Sequence, residues 1–199
     1  MELIYKYTIP DKLYHGSPAR FRIFDLEKAH ALKDYGKGFY LTTNYEQAFE
    51  WANKKRLSKD GYIYEYSIDK KKIMDIKFNI IEFLDYSISW GHFIAAHRHE
   101  IIEDAGLDIV YDRMADGTSQ EMTEAIDKFY KGDDGSEKNM MNVFTNIKAE
   151  NSKYDQYCFK TQRAINLLCC ERVAILSGDF KKPDIVWKGA FDFYEQQKL

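Results

Sequence analysis

Polar and apolar residues alternate along several short stretches of the chain, which is the pattern of half-buried β-strands. The clearest stretch is 61–68, where Tyr62, Tyr64, Tyr66 and Ile68 occupy every second position. Shorter extended segments are predicted at 2–9, 12–15, 20–25, 38–42, 73–78, 108–111, 153–160, 172–176 and 185–187.

Other stretches carry apolar residues at helical spacing. A helix is predicted to begin after Asn44, a good N-cap residue, with Gln47 three positions later as a capping-box partner. Further helices are predicted over 79–98, 119–130, 136–147 and 161–168. The lysines at 70–72 are interpreted as a solvated turn. Strands and helices are mixed without the regular alternation of a parallel sheet, so the fold class is α+β.

Length and composition narrow the class of protein. The 199 residues, 45% of them apolar, fit one globular domain over 1–199, with a helical insertion around 118–148. The net charge of −3 gives no global basic field toward nucleic acid or membranes, although a local basic patch is compatible with it. No run of about 18 apolar residues is present, so no membrane span is expected.

The cysteines and the N-terminus point to a cytoplasmic location. Cys158, Cys169 and Cys170 show neither zinc-ligand spacing nor a disulfide framework, so we expect reduced thiols. The first residues lack a cationic segment followed by an apolar core, so no signal peptide is expected.

Two glycine-marked segments near the N-terminus suggest a ligand site. One is Leu13-Tyr14-His15-Gly16-Ser17, and the other is the run from Asp34 to Leu41, which contains Gly36-Lys37-Gly38-Phe39-Tyr40. Glycine lets a backbone approach a ligand closely. Two such strands predict a ligand between them, with a third segment, Tyr154-Asp155-Gln156, completing the site.

This set of segments resembles the ADP-ribosyltransferase superfamily, in the branch that includes the poly-ADP-ribose polymerases and diphtheria toxin. Members carry a strand ending in His-Gly-Ser/Thr, a later Gly-Lys-Gly-(apolar)-Tyr strand, a helix with a second aromatic residue, and a glutamate on a late strand. The run Asp34–Thr43, followed by Gln47-Ala48 and Trp51-Ala52, is more similar still to a bacterial family of unknown function in the same superfamily. The resemblance spans about residues 12–175.

The resemblance implies an ADP-ribosyltransferase-like split antiparallel β-sandwich with surrounding helices, and NAD as co-substrate without a metal. It assigns the catalytic residues His15, Tyr40 and Gln156. It assigns NAD binding to His15, Gly16, Ser17, Gly38, Tyr40 and Trp51. His15 would hydrogen-bond a ribose hydroxyl, and the two aromatic rings would stack on the cationic nicotinamide ring.

Gln156 departs from the superfamily pattern, which places glutamate there. The amide keeps a hydrogen bond but loses a negative charge opposite the positive charge that grows on the ribose. Loss of one such partner costs about 3–4 kcal/mol, or 10²–10³ in rate. Three outcomes stay open: slow transfer, compensation by a neighbour such as Asp155, or NAD binding without turnover. Gln156→Glu is predicted to preserve or raise NAD cleavage.

The resulting expectation is a mono-ADP-ribosyltransferase, because the missing glutamate argues against chain elongation. The acceptor is expected to be a macromolecule, a protein in preference to a nucleic acid. Bacterial relatives suggest a toxin-like or regulatory effector, with a small neutralising partner as a further expectation. The alternatives are an NAD glycohydrolase and a catalytically silent module that binds NAD or ADP-ribose.

Several other candidates are given lesser roles. Lys37 or Arg20 is a candidate for neutralising a pyrophosphate. The histidines at 92, 97 and 99 lack metal-ligand spacing and are interpreted as surface or helix-end residues. Cys158 is interpreted as a buried thiol rather than a nucleophile.

Overall fold

The structure is a computed structural model that describes residues 10–54, 56, 59–75, 77–113, 120–146 and 154–195. The predicted strand at 2–9 lies outside the described residues. The described strands are β1 (Lys12–Ser17), β2 (Phe39–Leu41), β3 (Gly61–Ile68), β4 (Ile80–Phe83), β5 (Ile109–Arg113), β6 (Asp155–Phe159), β7 (Leu168–Ser177) and β8 (Asp184–Gly189). The described α-helices are α1 (Tyr45–Lys54), α2 (Lys70–Asp75), α3 (Ile88–His99), α4 (Gln120–Tyr130), α5 (Ser136–Asn146), α6 (Gln162–Ile165) and α7 (Ala190–Glu195).

Two four-stranded sheets form an α+β fold, as the mixed pattern predicted. The first sheet has the order β1-β3-β7-β8 and is antiparallel throughout. The second has the order β2-β6-β5-β4, and its β4–β5 pair is parallel, so this sheet is mixed rather than fully antiparallel. The two sheets meet at a backbone bridge between Tyr14 and Thr42, whose amides and carbonyls exchange hydrogen bonds of 2.7 and 2.9 Å.

Most strand predictions are confirmed, and β3 is buried on both faces rather than on one. β3 covers the predicted 61–68, and its Ile63 and Tyr64 are fully buried. The segment 20–25 is not a strand, and a short 3-10 helix at Leu26–Lys28 follows it.

The predictions for 70–98 are wrong in three places. Asp69 accepts a hydrogen bond from the Lys72 amide, so the three lysines form the first turn of α2 rather than a loop. No strand covers the described part of 73–78. The apolar residues after 79 divide into β4 and α3, and α3 begins where Ser87 accepts a hydrogen bond from the Trp90 amide. An apolar run alone does not separate a strand from a helix.

The apolar core has two main parts. One part lies between the sheets and includes Leu13, Phe39, Tyr64 and Phe159. The other lies between the second sheet and helices α3, α4 and α5, and is centred on Trp90. Helices α4 and α5 lie within the range 118–148, where the sequence predicted a helical insertion, and pack against the second sheet. Among the described residues, no helix is long and apolar enough to cross a bilayer.

Candidate functional site

A cavity of about 640 Å³ opens where β1, β2 and α1 approach β6, α3 and α4. This volume is within the usual range for small-molecule sites. Its lining comes from segments far apart in the chain: Tyr14, His15, Gly16, Ser17, Pro18, Leu32, Lys33, Asp34, Tyr40, Leu41, Thr42, Gln47, Ala48, Trp51, Arg98, His99, Thr123, Asp127 and Gln156. Six of the seven candidate site residues are in this list. The seventh, Gly38, is not.

His15 is held in one orientation by the backbone of the neighbouring sheet. Its Nδ1 lies 2.7 Å from the Tyr40 carbonyl oxygen. A carbonyl can only accept, so Nδ1 carries the hydrogen and Nε2 keeps a lone pair. The ring also packs against Phe39, with ring centroids 4.8 Å apart. Burial, with a smaller contribution from the charge of nearby Lys33, lowers the pKa of His15 to about 4, so the imidazole is neutral at pH 7.

Gly16 is required by the packing of α1 on β1. A Cβ at this position would lie 1.9 Å from the Ala48 carbonyl oxygen. The neighbouring Ser17 hydroxyl accepts a hydrogen bond from the Ala19 amide at 3.1 Å, which leaves its own hydrogen to donate. Strand β1 thus brings Gly16 and Ser17 to the cavity wall, and α1 packs directly against Gly16.

Tyr40 contributes a ring rather than a free hydroxyl. The hydroxyl donates to the Gly36 carbonyl at 2.8 Å and accepts from the Tyr35 amide at 3.0 Å, which closes the turn between them. Gly36 adopts φ of +69°, a conformation that favours glycine. The Lys33 ammonium lies 5.0 Å from the centre of the Tyr40 ring, so this ring faces a cation.

The helix α1 supplies the second aromatic residue. Trp51 lines the cavity with 42% of its surface exposed. Gln47, on the preceding turn, also lines the cavity, and its Oε1 is 2.7 Å from the Thr42 hydroxyl. The position of α1 is fixed by Asn44, whose side chain accepts from the Gln47 amide, as expected for an N-cap.

Gly38 has a packing role instead of a place at the cavity. A Cβ there would lie 2.2 Å from the Cys158 sulfur, so only glycine lets β2 pair closely with β6. Cys158 itself is fully buried, and burial raises the pKa of its thiol to about 12. The interpretation of Cys158 as a buried thiol is confirmed.

Gln156 also lines the cavity and contacts a carboxylate. Its Nε2 donates to Asp34 Oδ2 at 3.2 Å and to the Tyr35 hydroxyl oxygen at 3.4 Å. Asp34 Oδ1 accepts from Arg98 Nε at 2.7 Å. Asp34 and Arg98 both line the cavity, and sequence reasoning assigned neither of them to the site.

A buried acid lies beside Gln156 on the neighbouring strand. Asp112 is paired with Gln156 in register and accepts from Trp90 Nε1 at 2.7 Å, while the Tyr35 hydroxyl donates to it. Its Oδ1 has no hydrogen-bond partner among the described residues. Burial, with a smaller contribution from the charge of Asp34, raises the pKa of Asp112 to about 8. Asp112 is therefore mostly protonated at neutral pH.

Asp155 does not face the cavity, although the sequence suggested it as a substitute for the missing glutamate. Successive strand residues point to opposite faces, so Asp155 and Gln156 diverge. Its carboxylate binds the Thr42 hydroxyl at 2.7 Å, the Thr43 hydroxyl at 2.6 Å and the Thr43 amide at 2.9 Å. Asp155 thus fixes the corner between β2 and α1.

The loop that carries Asp34 is anchored from behind by Lys160. The Lys160 ammonium donates to the Tyr35 carbonyl and is 2.8 Å from Asp104. Asp104 also pairs with His97 Nε2 at 2.8 Å, and His97 is buried rather than a surface residue. Lys160 therefore holds the loop that carries Asp34 in a fixed position.

Two cations proposed from the sequence lie elsewhere. Arg20 donates to the Phe193 carbonyl and stacks on that ring at 4.0 Å, and Lys37 pairs with Glu27 at 3.6 Å. Neither residue lines the cavity. The lysine and the arginine that do line it are Lys33 and Arg98.

Helix α4 provides one wall of the cavity. Thr123 and Asp127 on α4 line it, and Asp127 is 2.9 Å from His99 Nε2 at the end of α3. Within the described ranges, no group of three or more His, Cys, Asp or Glu side chains is placed to hold a metal ion. The pair between His99 and Asp127 therefore joins α3 to α4.

Residues 12–169 match the family described as "Protein of unknown function (DUF3990)". The match spans most of the chain, so this protein belongs to that family. It includes every residue that lines the cavity. Comparisons with curated proteins and with solved structures find no match.

Proposed function

We propose that this protein is an ADP-ribosyltransferase that cleaves NAD, releases nicotinamide and transfers one ADP-ribose to a macromolecular acceptor. The observation that carries the proposal is that His15, Tyr40 and Gln156, from three distant segments, line a single cavity. These are the residues to which the resemblance to known ADP-ribosyltransferases assigns the chemistry.

The chemistry of the lining fits the parts of NAD. The neutral His15 has an acceptor nitrogen for a ribose hydroxyl. Tyr40 and Trp51 offer aromatic surfaces, which attract a cationic ring by about 0.5–2 kcal/mol. Lys33 and Arg98 place positive charge in the same cavity, where a pyrophosphate requires it.

Gln156 gives the site its particular character. Its amide provides a hydrogen bond without a charge, which fits transfer of a single unit better than chain elongation. We propose that the acceptor is a protein, since the net charge of −3 does not favour nucleic acid. A toxin-like role with a small neutralising partner follows from the bacterial resemblance alone.

One assay separates this function from its two alternatives. Purified protein is incubated with NAD labelled on the adenylate, with and without a cell lysate, and nicotinamide release is followed by chromatography. Label on lysate protein together with free nicotinamide supports transfer, whereas free ADP-ribose as the sole product indicates a glycohydrolase. Saturable binding without nicotinamide release indicates a silent module, the alternative that Gln156 favours. Absence of both binding and cleavage would refute the NAD site.

A further inference from the structure

The cavity contains a negative charge close to the position where the superfamily pattern has glutamate. Asp34 Oδ2 lies 3.2 Å from Gln156 Nε2, and the Asp34 side chain is buried at the cavity wall. Asp34 comes from the loop before β2, far from β6 in sequence. The carboxylate and the amide are therefore neighbours in space but not in the sequence.

We propose that Asp34 is a catalytic residue that supplies the carboxylate missing at position 156, while Gln156 orients it. This inference rests on the proposed function. The negative charge opposite the ribose would then come from another loop, while position 156 itself still offers an amide, and no carboxylate, to an acceptor hydroxyl.

The other nearby acids are unsuited to this role. Of the described residues that line the cavity, Asp34 and Asp127 are the acidic ones, and Asp127 is paired with His99 on the α4 wall. Asp155 is bound by Thr42 and Thr43 on the other face of β6. Asp112 lies outside the lining and is mostly protonated at neutral pH. Asp34 is the acid in this set that both contacts Gln156 and lines the cavity.

Three contacts fix the direction of the Asp34 carboxylate. Arg98 binds Oδ1, Gln156 binds Oδ2, and Lys160 anchors the carbonyl of the next residue, Tyr35. A carboxylate has about four acceptor positions, so these bonds leave capacity for a ribose hydroxyl. A preorganised charge of this kind stabilises a transition state without reorganisation.

The balance of the reaction explains why a negative charge is needed. The bond between the ribose C1 and the nicotinamide nitrogen breaks, and its electron pair leaves with nicotinamide, which becomes neutral. Positive charge then develops on the ribose C1 and its ring oxygen, opposite Asp34. The nucleophile of the acceptor forms the new bond to C1 and releases its proton to solvent.

The decisive experiment compares Asp34→Asn with the double variant Asp34→Asn/Gln156→Glu. Asp34→Asn is expected to slow nicotinamide release at saturating NAD by about 10²–10³-fold. The NAD dissociation constant, measured by calorimetry, should change by less than about threefold. The double variant returns one carboxylate to the same cluster and is expected to recover release to within about tenfold of the natural protein.

The double variant also protects the test against misfolding. Asp34→Asn removes the ion pair between Asp34 and Arg98, which is destabilising in a buried site, whereas the double variant keeps the charge balance. Asp134→Asn, in the exposed turn between α4 and α5, is the matched control for loss of one surface charge. Fold is checked by circular dichroism for every variant.

Two results would overturn the assignment of Asp34. One is a folded Asp34→Asn protein that releases nicotinamide within threefold of the natural rate. The other is a folded double variant that stays inactive. Failure of the natural protein to cleave NAD would instead refute the proposed function, so the two failures are distinguishable.

Discussion

Two groups of cavity residues are held in place in different ways. The His15 side, formed by His15, Gly16, Ser17, Tyr40 and Trp51, is uncharged and is fixed mainly by contacts to backbone, such as the bond from His15 to the Tyr40 carbonyl. The Asp34 side, formed by Asp34, Arg98 and Gln156, is charged and is fixed by side chains of separate elements. The residues of the His15 side belong to local sequence motifs, whereas the Asp34 side forms only when the fold brings distant residues together.

His15→Ala should have the largest effect, because it removes the acceptor nitrogen from the His15 side. NAD cleavage is expected to fall by at least about 10²-fold, as for other single hydrogen-bonding groups in a transition state. The exposed His30 gives a matched control, His30→Ala, with unchanged cleavage. Nicotinamide release measures both, and equal activity in the two folded variants would remove His15 from the site.

Gly16→Ala tests whether backbone contact fixes the His15 side. The new Cβ would collide with the Ala48 carbonyl, so β1 and α1 must separate. The free energy of unfolding is expected to fall by about 1–3 kcal/mol. Gly189→Ala is the control, since its Cβ would be 3.6 Å from the nearest atom and should change stability by less than about 0.5 kcal/mol. Urea denaturation compares the two, and similar stabilities would contradict the close packing.

Asp112→Asn examines the acid behind the Asp34 side, where Asp34, Tyr35, Trp90 and Gln156 face it. Burial raises the pKa of Asp112 to about 8, so the folded chain binds this proton more tightly than the unfolded chain. The contribution to stability is complete below about pH 4 and is lost as the pH rises to about 8.

The variant should therefore gain stability relative to the natural protein as the pH rises from about 5 to about 7. The gain approaches about 1.4 kcal/mol per pH unit, the value for one proton. Urea denaturation at a series of pH values measures this difference. A difference that does not vary with pH would show that Asp112 is already ionised in the folded protein.

Trp51→Leu should have the smallest effect, because this ring is at the rim of the His15 side and partly exposed. NAD affinity is expected to fall about fivefold, which corresponds to about 1 kcal/mol of cation–π attraction. Phe191→Leu, at an exposed aromatic residue outside the cavity, should leave affinity unchanged. Calorimetric titration with NAD measures both variants, and equal dissociation constants would exclude stacking on Trp51.

The contact between Gln156 and Asp34 also alters the expectation for Gln156→Glu. The sequence alone predicted preserved or raised NAD cleavage. In the structure, a glutamate would face the Asp34 carboxylate, and two adjacent carboxylates cannot both ionise without a large cost. Gln156→Glu alone is therefore expected to be less stable than the double variant Asp34→Asn/Gln156→Glu.

The strand pattern and the first motif were predictable because local periodicity and glycine spacing carry them. β1, β2, β3 and β6 all lie where the alternation placed them. The division of 79–98 into β4 and α3 was not predictable, since it depends on the parallel pairing of β4 with β5. The spacing of apolar residues in 79–98 does not indicate that β5 is the partner strand.

The charged partners of Gln156 were missed for a related reason. Arg98 lies among helix-end residues that resemble a solvated surface, and its ion pair with Asp34 spans 64 positions in the sequence. Asp112 did carry a signal, because it is two residues after the buried Val110 on the same face of β5. The predicted strand ended at Tyr111 and so did not include this polar residue on a buried face.

The backbone bridge between Tyr14 and Thr42 has a consequence for dynamics. Both residues line the cavity, and each amide donates to the carbonyl of the other across the join between the sheets. Exchange of these two amide hydrogens with deuterium requires the sheets to splay apart at the cavity itself. Their protection factors should therefore rise when a ligand spans the join, which makes two backbone positions a direct gauge of occupancy without any label on the ligand.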